Sequence, residues 1–302
     1  MKASVETVVP CDDIAGETPL WSVEEKAIYW IDVVRPRIHR FEPATGKMET
    51  MDLNETIGSI GLRGPRKLVA AMRTGFYLVD FDSRALEHLF DPEPGLPDNT
   101  LNDGRVDRRG RFWSGSGWYG TDDVESESTR LPTEPTAALY RLGADRQVHR
   151  MLDGLSETNT LAWSPDNKTM YVGDSGPGVI YAFDYDIDNG AISNRREFAR
   201  TKQGDMFHDG SAIDSEGYLW SAIWNGWRIR RYAPDGSIDR EIELPVQRPT
   251  ACCFGGPDLS TLFVTTATWT LSDEAIGAQP LAGSLLCFET GIRGMSEACY
   301  KG

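Results

Sequence analysis

The sequence predicts an all-β fold, a six-bladed β-propeller with four-stranded antiparallel blades and a central metal site. Three observations carry the prediction. A polar residue, a short strand, a turn and a second strand recur, with copies starting near positions 17, 57, 102, 159, 209 and 250. Their spacing of roughly 40 to 50 residues leaves room for four strands, the period of a propeller blade. Amphipathic helix patterns are almost absent.

The elements follow in order. Residues 4–9 alternate and precede the first repeat; they are expected to supply the outer strand of the last blade and lock the ring. The first blade runs from Glu17 to about Met51, its opening Glu17-Thr18-Pro19-Leu20-Trp21 followed by strands near 26–33, 37–42 and 47–51. The second, a weaker copy, covers about 56–90, turns at Arg63-Gly64-Pro65-Arg66, and has strands near 67–72, 75–80 and 86–89. Residues 91–100 are Pro-rich and acidic, a loop leading to the third blade at Asn102. After Trp113 the periodicity breaks, and residues 114–135 read as a long irregular loop, a kind that usually carries function. Strands near 137–142 and 148–152 finish that blade. The fourth blade spans about 159–198, the fifth 209–244, and the sixth 249–288 with an irregular insertion at 267–281. In the fifth blade Asp214-Ser215-Glu216-Gly217 is a turn, because Asp and Ser bond nearby backbone and Gly accepts positive φ. Asn225-Gly226 is a second hairpin signal. One domain over 1–302 is expected, since stacked repeats bury their apolar faces on one another.

A net charge of −15 argues against a nucleic-acid partner, whose phosphates call for clustered Lys and Arg. No apolar run is long enough to span a membrane, and the N-terminal residues have no apolar signal core. The five cysteines, Cys11, Cys252, Cys253, Cys287 and Cys299, form no Cys-x-x-Cys pair. Cys252 and Cys253 lie in an apolar strand as small core residues. A reduced, cytoplasmic protein is expected. Oligomeric state is not legible.

First strands of propeller blades line the central channel, so residues opening them converge although distant in sequence. In four copies that residue is Glu17, Asn102, Asn159 or Asp209. Two carboxylates and two amide oxygens suit a hard divalent cation; the same residue types also serve as turn formers. His208 precedes Asp209 and is read as touching a metal ligand or the substrate, or as a structural histidine. His39, His88 and His149 fall in outer strands, so histidine-based nucleophilic catalysis lacks material. Gly173-Asp174-Ser175-Gly176-Pro177 is similar to the nucleophile segment of trypsin-like proteases, but its place in a hairpin makes it a turn. Asp184, Asp186 and Asp188 imitate a calcium loop, but Asn189 and Arg195 stand where that loop needs Gly and Glu, so this too is a turn. Trp118 and Tyr119 either cover a pocket and stack on a sugar face or pack between blades. Trp224 and Asn225 could rim the same mouth as Asp209.

Read together, Gly16-Glu17-x-Pro19-x-Trp21, Asn102-Asp103-Gly104-x-Val106-Asp107-x-x-Gly110-Arg111, Asn159-x-Leu161-x-Trp163-Ser164-x-Asp166, Asp209-Gly210-x-x-x-Asp214-x-Glu216-Gly217-x-Leu219-Trp220 and Cys252-Cys253-Phe254-Gly255-Gly256 resemble the senescence-marker-protein/gluconolactonase family of regucalcin-like sugar lactonases. Residues 182–186 and 192–196 add to the match, which covers essentially the whole chain. The resemblance implies one catalytic divalent ion held by Glu17, Asn159 and Asp209, with Asn102 contacting substrate. Two departures bear on the substrate. Thr100 stands where many members carry Arg, and Gly120, beside Tyr119 and Asp122, stands where animal members carry Glu.

The expected reaction is hydrolysis of a sugar aldonolactone to the aldonic acid in carbohydrate catabolism. Asp209 would orient or deprotonate the attacking water, and a divalent ion would polarise the carbonyl. Thr100, Asn102, Trp118, Tyr119 and His208 are the expected substrate contacts. All-oxygen ligation fits Ca²⁺, Mg²⁺ and Mn²⁺, with Zn²⁺ or Fe²⁺ able to occupy such sites. The alternatives are an organophosphate or ester hydrolase on the same metal site, and a non-catalytic calcium-binding propeller.

Overall fold

The computed structural model describes residues 4–118, 135–202 and 207–302. β1 (Glu6–Val9) comes first in the chain. Blade one is β2 (Gly16–Ser22), β3 (Ala27–Asp32), β4 (Arg37–Glu42) and β5 (Lys47–Asp52). Blade two is β6 (Ile57–Gly64), β7 (Lys67–Met72), β8 (Gly75–Asp80) and β9 (Ala85–Phe90). Blade three is β10 (Asn99–Val106), β11 (Phe112–Trp118), β12 (Ala137–Leu142) and β13 (Val148–Leu155). Blade four is β14 (Thr158–Trp163), β15 (Thr169–Asp174), β16 (Val179–Asp186) and β17 (Ala191–Arg200). Blade five is β18 (Phe207–Ile213), β19 (Leu219–Trp224), β20 (Arg228–Tyr232) and β21 (Ile238–Glu243). Blade six takes β22 (Pro249–Gly255), β23 (Thr261–Thr266) and β24 (Leu285–Glu289) from the C-terminal part, and β1 pairs antiparallel with β24 as its outer strand. The six-bladed propeller and its N-terminal lock are as the sequence predicts.

Apolar packing explains the ring. Inner and second strands are buried along almost their whole length, whereas outer strands such as β9 and β17 alternate little and face solvent. Six buried clusters result, one between each neighbouring pair of blades. Cys252 packs in the cluster toward blade five and Cys253 in the cluster toward blade one, so the adjacent thiols serve opposite faces of one sheet. The turns between first and second strands are tied by buried aspartates. Asp214 Oδ1 accepts from the N–H of Glu216 and Tyr218 at 3.0 Å, and Gly217 has φ +86°. Its Oδ2 accepts from Trp220 Nε1 at 2.9 Å; Asp107 does the same for Trp113 at 2.8 Å. The Asp-x-x-Gly spacing therefore fastens these two turns, in blades three and five, to the core.

Two expectations are corrected. The strand β11 continues through Trp118, so residues 114–118 are not loop. The insertion of blade six contains a short helix, α1 (Asp273–Ala278), whose N-cap Ser272 Oγ accepts from Ala275 N–H at 3.2 Å. The hairpin expected at Asn225-Gly226 holds, joining β19 to β20, and its left-handed residues are Asn225 (φ +59°) and Trp227 (φ +56°). Asn tolerates that region; for Trp227 it is a strained setting.

Each inner strand carries a β-bulge at the same level, and β6 has a second between Leu62 and Gly64. The register shifts between Glu17 and Leu20, Ile57 and Ser59, Leu101 and Gly104, Asn159 and Ala162, His208 and Ser211, and Pro249 and Cys252. A bulge opposes two residues to one and re-aims a side chain. The bulges also join strand to strand around the axis. Thr160 Oγ1 donates to Asp209 O at 2.6 Å and Thr250 Oγ1 to Gly16 O at 2.5 Å. Gly58 lies so close to β10 that a Cβ there would be 1.9 Å from Leu101 O.

The opposite end of the channel is crossed by the C-terminal tail. Ser215 N–H donates to Arg293 O at 2.9 Å, Tyr300 N–H to Leu62 O at 2.7 Å and Lys301 N–H to Gly110 O at 3.0 Å. The tail thus touches blades five, two and three. Glu297 faces Arg105 at 3.5 Å beside a cavity lined by Arg105, Trp163, Phe254 and Met295.

Candidate active site in the central channel

Glu17 is the second residue of β2, Asn102 the fourth of β10, Asn159 the second of β14 and Asp209 the third of β18. None opens its strand, as the sequence repeat implied; all lie at the bulges. Counting back from the first paired residue beyond each shift, Glu17 and Asn159 stand three residues before Leu20 and Ala162. Asn102 and Asp209 stand two before Gly104 and Ser211. Two neighbouring bulge positions, rather than one repeated position, carry the polar groups.

The backbone is strained where this happens. Thr18 and Thr160, which follow Glu17 and Asn159, have φ of +46° and +54°. β-branched residues rarely adopt this region. The Thr18 N–H donates to Glu17 Oε2 at 3.0 Å. Second-strand aspartates hold the approaching segments. Asp32 accepts from the N–H of Ile14 and Ala15 at 3.0 and 3.2 Å, and Asp174 from Ser156 N–H at 3.0 Å.

The two amides meet. Asn102 Nδ2 donates to Thr158 O at 3.0 Å and lies 3.4 Å from Asn159 Oδ1. Asn159 Nδ2 donates to Ser175 Oγ at 2.9 Å. The carboxylates repel one another. Asp209 is buried, and its pKa is raised well above the ordinary value by that burial, then by the charges of Glu17, Glu157 and Asp103. Glu17 is pushed up to about 8 by burial, then by Asp103 and Glu157, with the Thr18 N–H opposing. Asp103 rises to about 6 through burial, offset by Arg105 and by the Leu161 N–H at 3.1 Å.

Asp103 and Glu157 are residues the sequence reading did not assign. Asp103 lay in plain view in Asn102-Asp103-Gly104. Glu157 sits before β14, and no sequence pattern marks it. Ser175 also gains a role: the hairpin reading of its segment holds, with Gly178 N–H donating to Ser175 O at 3.1 Å, and its hydroxyl orients Asn159.

The other expected contacts distribute unevenly. Thr100 is buried in β10, two residues before Asn102 and opposite Gly117. The His208 ring is buried, packs edge-on against Tyr232 and lies 2.6 Å from Tyr232 Oη, in the layer between blades. Trp118 ends β11 opposite Asn99. Its side chain, and Tyr119, Gly120 and Asp122, lie outside the described residues. Trp224 opposes Phe207, two residues before Asp209, and stacks on it at 5.7 Å.

Among the described residues no three His, Cys, Asp or Glu side chains are grouped to hold a metal ion. A cation here would rest on amide as well as carboxylate oxygen. The donor set fits one: the charges acting most strongly on Asp209 are all negative, and buried like charges are relieved by a hard cation.

Residues 15–268 match the family described as SMP-30/Gluconolactonase/LRE-like region. The chain belongs to that family. It is 35% identical over 100% of both chains to a 6-deoxy-6-sulfogluconolactonase of Pseudomonas putida. It is 32% identical to regucalcin of Xenopus laevis, over 99% of this chain and 98% of that protein. The crystal structure of a calcium-binding protein, regucalcin, from Agrobacterium tumefaciens superposes with a TM-score of 0.91 at 25% identity, covering 99% of this chain and 98% of that one. The likeness to that regucalcin structure extends over the whole propeller.

Proposed function

We propose that this protein hydrolyses the ring ester of a sugar aldonolactone, with Glu17, Asn159 and Asp209 able to hold one divalent cation. The observation that supports this most directly is the pair of mutually repelling carboxylates, Glu17 and Asp209, set beside two amides in one channel. Gluconolactonase-like relatives support the substrate class. When bound, a divalent cation supplies Lewis-acid polarisation of a carbonyl oxygen and a lower pKa for nearby water.

The chain's own groups do the rest. Asp209 accepts a proton from water as the water oxygen bonds to the lactone carbonyl carbon. The ring C–O bond then breaks, and the departing alkoxide takes a proton to become a hydroxyl of the aldonic acid. Asn102 is placed to orient the substrate by its amide, which the neighbouring Thr158 carbonyl fixes. Ser175 keeps Asn159 Oδ1 on the channel side. Calcium as the ion is favoured by the calcium-binding regucalcin structure; the oxygen-rich donor set also suits Mg²⁺ and Mn²⁺.

The test is proton release from five- and six-membered aldonolactones, corrected for spontaneous hydrolysis, by chelator-treated protein with and without added divalent ions. Turnover restored by metal supports the reading. Cation uptake with no lactone turnover would move it to an aryl-ester or fluorophosphate hydrolase, and failure there to a calcium-binding protein.

A further inference from the structure

Four arginines among the described residues are buried: Arg40, Arg230, Arg231 and Arg248. Three have carboxylate partners, Arg40 with Glu25, Arg230 with Glu241, and Arg231 with Asp214. Arg248 pairs with none among the described residues. Its Nε donates to Asn225 Oδ1 at 2.7 Å and its Nη1 to Thr270 Oγ1 at 2.6 Å, both neutral. Both partners are non-glycine residues held in the left-handed region, at φ +59° and +57°. The guanidinium lies 5.1 Å from the ring centre of Trp224. Burial lowers its pKa to about 10, with no anion acting against it, so it stays charged at neutral pH. A buried cation left without an anion is costly, and one retained in a chain of net charge −15 calls for a reason.

Its position supplies one. Arg248 directly precedes β22. Two residues on, Thr250 bonds to Gly16 O, next to Glu17. Trp224 opposes Phe207, two residues before Asp209. Arg248 therefore sits at the channel end shared by Glu17 and Asp209, outward by about two strand residues, roughly 7 Å. Trp224, with Phe207 stacked on it and Trp269 edge-on at 6.3 Å, forms an aromatic wall beside it.

We infer that Arg248 is an anion-recognition residue at this mouth, and that the lactone opened here carries an oxyanion group (sulfonate, carboxylate or phosphate) on the carbon remote from the lactone carbonyl. The guanidinium fork suits such groups. This rests on the lactonase reading.

The experiment compares kcat/KM for gluconolactone with its counterparts bearing sulfonate, carboxylate or phosphate at C6. It uses wild type, Arg248→Gln, Arg248→Lys and Asn225→Asp. The last keeps the arginine and its packing while supplying a counter-charge from the protein itself, so it carries the test if Arg248→Gln does not fold. At least one anionic lactone is expected to be preferred by roughly 10- to 100-fold in wild type. That preference should collapse in Arg248→Gln and Asn225→Asp and fall part-way in Arg248→Lys; the best of the three lactones names the anion. A wild-type ratio near one, or a ratio that neither variant moves, overturns the proposal and leaves the lactonase reading standing. Turnover of no lactone would sink the lactonase reading and the substrate half of the proposal. Calorimetric titration with the ring-opened C6-sulfonate and C6-phosphate acids then decides the anion site: saturable binding lost in Arg248→Gln upholds it, and no binding by wild type overturns it.

Discussion

Ser175 Oγ accepts the Nδ2–H of Asn159 at 2.9 Å, and this one bond fixes which end of the amide faces Asn102 and the channel. Without it the oxygen and nitrogen of Asn159 could exchange places, and a donor would stand where a cation needs an acceptor. Ser175→Ala should therefore weaken divalent-cation affinity and kcat/KM by about five-fold, the worth of one neutral hydrogen bond. Calcium titration and initial rates would measure it. An unchanged affinity would show that Asn102 alone holds the amide.

Asp209→Asn keeps the shape of the side chain and removes its capacity to take a proton. Turnover should fall by roughly 10²- to 10⁴-fold, the usual range for a lost general base. Since the carboxylate is crowded by Glu17, Glu157 and Asp103, the metal-free variant should melt no lower than wild type. Full activity in this variant would remove Asp209 from the mechanism.

The same crowding gives the metal-free protein a pH signature. Glu17 has an ordinary value of 4.5 and a folded value of about 8, raised first by burial. Between these values the folded state binds more protons than the unfolded state, so stability falls as pH rises. Melting temperatures of chelated protein should decline from pH 5 to pH 8. Added calcium should flatten the decline, because a cation takes over the proton's role. A melting curve that is flat over this range without metal would contradict the burial of charge in the channel.

Gly58 tests the ring itself. An added Cβ would meet Leu101 O at 1.9 Å and Asn102 Cα at 2.8 Å, backbone atoms that cannot swing aside. Gly58→Ala should cost about 3 kcal/mol or more, the range of a core overpacked against rigid neighbours. Urea unfolding would measure it. A loss under about 1 kcal/mol would mean that β6 and β10 part more readily than their contacts indicate.

Much of this was legible in the residues. The repeat of a polar opening, a strand, a turn and a second strand specifies a blade, because each step is local: in blade five Asp214 bonds the N–H groups of its own turn and Gly217 takes the φ that turn requires. Apolar second strands then leave one way to bury both faces of every sheet, against neighbouring blades. Glu17, Asn102, Asn159 and Asp209 could be found because they recur at the openings of those units.

What the tertiary structure alone decided is how those residues meet. The bulges that set Glu17 and Asn159 one position away from Asn102 and Asp209 appear only in the pairing register, which depends on partner strands. Glu157 and Ser175 gain their roles from the closing of blade four, where Asp174 and Asn159 bring them to the channel. Arg248 looks like any surface arginine in the sequence. Its isolation from carboxylates among the described residues arises because blades five and six enclose it with Asn225, Thr270 and Trp224. Local chemistry writes the blade; the repulsions and the unpaired charge exist only once six blades close around an axis and remove the water between them.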